Sequence, residues 1–253
     1  MNRNYVCSDI HGHYDKWRAL LTALDLRPDD TLYVLGDMID RGPDGVKVLQ
    51  DMMLRPNVIP ILGNHEMTAA VGIPTLLKEI TDKSLAELNE TDVAVLSDWL
   101  RNGGGPTLRG LRSIPPEERQ DLLEYLHDME LYAEVEAGGR DFVLIHAAPE
   151  RFDPDKPLED YEPQELLFGR PDPSAEFWPD KYLVYGHTPT RLLHEQLGEP
   201  PSDDILRRGR QIAIDCACAY DGKLGCLFIP PDCAEWEFGL SCPTIPVARR
   251  TPF

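Results

Sequence analysis

The sequence predicts an α/β fold, and three observations carry that prediction. Between residues 4 and 66 short apolar runs alternate with amphipathic segments, the pattern of parallel strands joined by helices. Strand-like runs then return at residues 142–145, 182–185, 211–214 and 224–229. Five of the runs end in Asp, Asn or His, and open α/β sheets bind ligands just beyond the carboxyl ends of their strands.

The first strand covers residues 4–8. Trp17, Leu20, Leu21 and Leu24 follow at helical spacing, so residues 15–24 form an amphipathic helix closed before Pro28. A buried strand at 31–35 runs into Gly36-Asp37-Met38-Ile39-Asp40-Arg41-Gly42, where two carboxylates and a guanidinium stand at its tip. Pro43 suits the first turn of a helix whose face is Val46, Leu49 and Met53, up to the break at Pro56. Residues 58–62 form the third strand.

From about residue 67 to 136 the chain reads as largely helical and more charged, with little strand signal. Ser84 and Glu87 have capping-box spacing, and Val93, Leu96 and Leu100 are spaced for one buried face. Asn102-Gly103-Gly104-Gly105 stops that helix, and Pro115-Pro116-Glu117 opens another through Leu122, Leu123 and Leu126. This region is expected to be a helical insert on the rim of a single domain spanning residues 1–253. Residues 149–179 are proline-rich and irregular, long enough to suggest a functional loop. The tail after Cys242 reads as a surface segment.

With 253 residues, 42% hydrophobic and 8% aromatic, the chain can bury a substantial core. Its 44 acidic and 25 basic residues give a formal charge of -19, which argues against nucleic-acid or anionic-membrane partners. An anionic substrate must then be drawn in locally, by metal ions or placed arginines. No signal h-region or membrane-length apolar run is present, so a cytoplasmic location is expected. Cys216, Cys218, Cys226, Cys233 and Cys242 crowd the C-terminal fifth without paired CxxC spacing, and with Cys7 they read as reduced core thiols.

The strand ends deliver Asp9 and His11, then Asp37, then Asn64 and His65, then His146, then His187. One His after an apolar run is ordinarily a hydrogen-bonded core residue, and Asp or Asn after Gly is ordinary turn chemistry. Four of the seven histidines recurring in this context with Asp and Asn point instead to one metal site. Mixed nitrogen and oxygen ligands without an obligatory thiolate suit Mn, Fe or Zn. Six ligands fit two ions sharing a carboxylate, an arrangement that activates a bridging water for in-line attack on phosphorus. Asp40 could equally be a turn residue, and Arg41 a surface ion pair.

Together Ser8-Asp9-Ile10-His11-Gly12, Gly36-Asp37-Met38-Ile39-Asp40-Arg41-Gly42, Gly63-Asn64-His65-Glu66, Ile145-His146-Ala147 and Gly186-His187-Thr188-Pro189 resemble the ordered signature of the calcineurin-like metallophosphoesterases. More narrowly they resemble the bacterial and phage PPP-type serine/threonine phosphatases, a branch shared with symmetrical diadenosine tetraphosphatases. The resemblance runs from residue 5 to about 230. It implies two packed mixed β-sheets flanked by helices, with the insert shaping the mouth of the site. It further implies that Asp9 and His11 bind a first metal, that Asp37 bridges, and that Asn64, His146 and His187 bind a second. His65 would be the general acid, oriented by Asp40, and Arg41 and Arg170 would grip the phosphoryl oxygens.

Three features depart from the family pattern. Leu166-Leu167-Phe168 precedes Arg170 where the family often has Leu-Leu-Trp, and Ser8 stands where many relatives have glycine. Residues 214–224 follow the bacterial and tetraphosphatase form, which does not imply eukaryotic regulatory subunits. His13, Glu66 and His194 read as structural or surface residues.

The expected activity is hydrolysis of a phosphate ester by a metal-bridging hydroxide, with manganese the expected metal. A phosphoprotein phosphatase stands first, with a symmetrical dinucleoside polyphosphate hydrolase as the alternative. A catalytically inactive phospho-binding module is the third reading. Substrate choice and oligomeric state stay open.

Overall fold

The computed structural model describes residues 2–76 and 90–231. Among these, β1 (Asn4–Cys7), β2 (Thr31–Leu35), β3 (Val58–Ile61) and β9 (Cys226–Ile229) form a sheet in the order β3-β2-β1-β9. The second sheet contains β4 (Tyr132–Ala137), β5 (Arg140–Ile145), β6 (Lys181–Tyr185), β7 (Leu206–Arg208) and β8 (Gln211–Ala213), in the order β4-β5-β6-β8-β7. β1, β2 and β3 run parallel, as do β5, β6 and β8. β9, β4 and β7 add antiparallel edges, so both sheets are mixed.

Strand alternation creates three apolar layers. Val6, Leu35, Phe142, Leu144, Val184 and Leu227 meet between the sheets. Tyr5, Cys7, Leu32 and Val34 point the other way, onto Trp17 and Leu20 of α1 (Tyr14–Leu24) and Leu49 and Met52 of α2 (Gly45–Met53). Val143, Ile145, Leu183 and Tyr185 pack against Leu166 of α7 (Pro163–Phe168) and Leu193 of α8 (Thr190–Gln196). Strands buried on both faces read as continuous apolar runs, which is why they were legible. Two sheets with helices outside each are the sandwich the resemblance implied.

Several expectations are corrected. Residues 132–137 form a strand inside the stretch read as helical, because β4 is an edge strand whose Glu134 and Glu136 dilute its apolar signal. α3 (Asn64–Leu76) and α4 (Glu90–Trp99) lie in the insert, but only Leu96 of the expected face is buried. Val93 and Leu100 are 49% and 43% exposed, and fully buried Trp99 takes the inner position. The glycine run breaks the helix as expected: after the Leu100–Gly104 turn the backbone is non-helical at Gly103, φ 107°, and this kink separates α4 from α5 (Gly105–Arg112). α6 (Pro116–His127) begins at the proline pair as expected. On α2 Met52 is buried while Met53 is 40% exposed.

The Ser84–Glu87 capping box, Cys233, Cys242 and the tail lie outside the described residues. Cys7, Cys216, Cys218 and Cys226 are buried, and none forms a disulfide among the described residues. Burial pushes Cys218 up to about 12, a value unsuited to thiolate chemistry at neutral pH. No helix among the described residues is long and apolar enough to cross a membrane.

Candidate active site

The loops leaving β1, β2, β3, β5 and β6 converge, and their backbone is unusual. Asp9, His11, Asp37, Asp40, Arg41 and His187 all have positive φ, between 47° and 67°. Left-handed backbone at an ordinary L-residue costs about 1 kcal/mol, so the surrounding bonds must hold these turns in place. Glu66 is one such hold. Fully buried, it accepts the backbone N–H groups of Asp37 (2.7 Å), Met38 (2.8 Å), Ile39 (3.2 Å) and Gly63 (3.2 Å). Burial and the adjacent Asp37 push Glu66 up to about 8, against the pull of those amides. Gly36, at φ +70°, permits a close approach: a Cβ there would lie 2.5 Å from Gly63 Cα and 2.6 Å from His146 Nδ1.

Asp37 lies between two clusters. Its Oδ2 is 3.5 Å from His11 Nε2 and 3.7 Å from His65 Nε2, while its Oδ1 is 3.4 Å from His146 Nε2. Asn64 Oδ1 lies 2.9 Å from His146 Nε2 and 3.0 Å from His187 Nδ1, and those two ring nitrogens are 3.2 Å apart. Asp9 Oδ1 is 3.9 Å from His11 Nε2. The compact groups with metal-ligand geometry are His11, Asp37 and His65, and Asp37, His146 and His187. His65 thus joins the first cluster and Asp9 stands at its margin, a closer approach of His65 than expected.

The donor set fits cations. His11 Nδ1 faces Ile39 O at 3.1 Å and His146 Nδ1 faces Leu35 O at 2.8 Å; with the proton on Nδ1, each Nε2 presents a bare lone pair to the centre. Burial lowers His11 and His146, and lowers His187 to about 3, so all three favour neutral imidazole. Asp9 Oδ2 accepts from Ser8 Oγ and from His187 N (3.0 Å), whereas its buried Oδ1 has no partner. Nitrogen and oxygen lone pairs gathered around Asp37, with Arg41 Nη1 meeting that of His11 Nε2, fit a divalent metal.

His65 has a different setting. Its Nδ1 contacts Asp40 Oδ2 at 2.7 Å, and Asp40 is wholly buried. Burial alone would lower His65, but the Asp37 and Asp40 carboxylates outweigh it and raise its pKa. Arg41 reaches His11 Nε2 at 2.7 Å and His65 Nε2 at 3.1 Å, with its guanidinium carbon 5.2 Å from the centroid of the Tyr220 ring. Arg170 lies exposed beside the second cluster, 3.4 Å from Thr188 Oγ1. All ten residues singled out in the sequence therefore surround one centre. Sequence reasoning missed Trp99 and Thr107, both bonded to Asp40 from the insert. No local signal marks them, since 59 and 67 residues separate them from it.

The calcineurin-like phosphoesterase family model matches residues 3–215. The symmetrical bis(5'-nucleosyl)-tetraphosphatase of Wigglesworthia glossinidia brevipalpis is 35% identical over 101 residues, 39% of this chain and 37% of that protein. The enzyme of the same name from Acidovorax sp. strain JS42 is 31% identical over 145 residues, 56% of this chain and 43% of that protein. The matches thus span about two fifths of each relative's length. Among solved structures, a provisionally assigned diadenosine tetraphosphatase superimposes with TM-score 0.61 at 20% identity, covering 91% of this chain and 90% of that one. A Saccharomyces cerevisiae serine/threonine phosphatase similar to human PP5 gives 0.56 at 14%, covering 90% and 73%. Sharing the sandwich and the ordered motifs, this chain belongs to the calcineurin-like phosphoesterase family.

Proposed function

We propose that this protein is a metal-dependent hydrolase of symmetrical dinucleoside polyphosphates. The reaction class rests on one observation: two clusters of His and carboxylate ligand atoms share Asp37, with Arg41 beside the first and Arg170 beside the second. The substrate class rests on the relatives' names, which favour the dinucleotide over the phosphoprotein that the sequence places first.

In this reading Asp9, His11 and Asp37 would hold one divalent ion, and Asp37, Asn64, His146 and His187 would hold another, with manganese the expected metal. Bound there, such ions supply Lewis-acid stabilisation at phosphorus and acidify water. His65, its Nδ1 engaged by Asp40, keeps Nε2 available to give a proton to the leaving phosphate oxygen as the P–O bond breaks. Arg41, beside the first cluster, and Arg170, beside the second, would offer their guanidinium groups to phosphoryl oxygens.

The test is turnover by purified, manganese-loaded protein of diadenosine tetraphosphate against a phosphopeptide panel. The expected outcome is a higher kcat/KM for the dinucleotide, with two nucleoside diphosphates as products. A preference for phosphopeptides overturns the substrate class, and turnover of neither overturns the reaction class.

A further inference from the structure

The insert reaches into the catalytic machinery at two consecutive residues. Trp99, wholly buried, donates its Nε1–H to Asp40 Oδ2 at 2.8 Å, the same oxygen that meets His65 Nδ1. Thr107, also buried, donates its hydroxyl to Asp40 Oδ1 at 2.5 Å and accepts the Asp40 backbone N–H at 2.9 Å. Between them, the Gly103 carbonyl accepts the Arg41 backbone N–H at 2.9 Å. The end of α4, the Gly103 kink and the first turn of α5 thus clamp Asp40 and Arg41.

The two central glycines are required by this clamp. A Cβ at Gly103, whose φ is +107°, would lie 2.8 Å from Arg41 Cγ, and one at Gly104 would lie 2.5 Å from Trp99 Cε2. The stretch Trp99-Leu100-Arg101-Asn102-Gly103-Gly104-Gly105-Pro106-Thr107 is therefore shaped to the residues it holds.

We propose that Trp99 and Thr107 are positioning residues that fix the plane of the Asp40 carboxylate and thereby the tautomer and aim of His65. The inference rests on the reading of His65 as general acid. A carboxylate with one bonded oxygen can rotate about its Cβ–Cγ axis; donors on both oxygens remove that freedom. With Oδ2 locked toward Nδ1–H, the His65 proton available for transfer is the one on Nε2, and the leaving oxygen takes it together with the electron pair of the breaking P–O bond.

Leaving-group dependence separates positioning from packing. Phenyl phosphate needs its departing oxygen protonated far more than 4-nitrophenyl phosphate does, and a general acid is worth roughly 10²–10⁴-fold where it is needed. Trp99→Phe keeps an aromatic ring, smaller than the indole, but loses the donor, and Thr107→Val keeps the shape but loses the hydroxyl. Each is expected to lower kcat for phenyl phosphate about tenfold, with little change for 4-nitrophenyl phosphate or in KM. Thr107→Ser, which keeps the hydroxyl and loses the methyl, is expected to rescue most of the Thr107→Val loss. In the magnesium-loaded protein the downfield Nδ1–H proton resonance of His65 is expected to broaden by water exchange in Trp99→Phe and Thr107→Val. Equal losses on both substrates, no rescue by serine, or an unchanged resonance overturns the positioning role. If His65→Asn itself shows no leaving-group dependence, the acid reading beneath it falls instead.

Discussion

Asp37 is a carboxylate whose burial would by itself raise its pKa, yet His65, His146, His11 and His187 surround it and hold it well below the usual carboxylate range. Its charge is shared by both clusters, so Asp37→Asn retains the shape and removes what each cluster needs. The expected result is a folded protein whose phosphoesterase activity falls by several orders of magnitude and whose bound manganese, measured by elemental analysis, drops below that of the wild type. His65→Asn should behave differently. It removes an acid worth about 10²–10⁴-fold, leaving metal content near the wild-type value. Loss of metal in His65→Asn would instead make His65 a ligand, which its place 3.7 Å from Asp37 Oδ2 allows geometrically.

At the scale of elements, the start of β1 is tied to the start of β2 by one ion pair. Asp30 accepts Arg3 N at 3.1 Å, Arg3 Nε at 3.0 Å and Arg27 N at 2.8 Å, and also pairs with Arg3 Nη2. The Arg3 guanidinium, together with these amides, holds Asp30 well below its ordinary value despite burial. A depressed folded pKa stabilises the fold above the unfolded value of about 3.9, and that stability is lost as pH falls through the folded value. Asp30→Asn is therefore expected to cost about 1–3 kcal/mol at pH 7 in denaturant titrations, with the difference from wild type shrinking only below about pH 4. A gap that widens on acidification would contradict this sign.

The same scale shows what could be read in advance. β1, β2, β3, β5 and β6 were legible because each carries an apolar run that leads to a ligand-type residue, through Ser8, Gly36, Gly63 or Gly186 in four of them and directly from Ile145 to His146 in β5. β4 was not, because an edge strand with Glu at alternate positions leaves a weak signal, and its pairing partner supplies the rest. The glycine run was legible as a helix stop, and Gly103 does break the helix; its close approach to Arg41 and that of Gly104 to Trp99 depend on tertiary packing. Ligand types were legible at the strand tips, whereas the Trp99 and Thr107 bonds depend on tertiary packing across the insert.

At the scale of the whole molecule, the charge of -19 opposes compaction through self-repulsion, and one part of that charge, the Asp37 carboxylate, is buried between the two clusters. Two kinds of ion relieve these two burdens in separable ways. Monovalent salt shortens the screening length from about 30 Å at 0.01 M to about 8 Å at 0.15 M and so weakens repulsion over the entire surface. A divalent ion that binds only the folded site adds about 2.7 kcal/mol at a hundred times its Kd, which for a chain of this size raises Tm by about 5–10 °C. Wild-type Tm is therefore expected to rise with KCl and again with MnCl2 at constant ionic strength. Asp37→Asn should keep the first increment and lose most of the second. If the manganese increment survives in that variant, the ion acts through the general field of an acidic surface, and the two clusters around Asp37 are not where it binds.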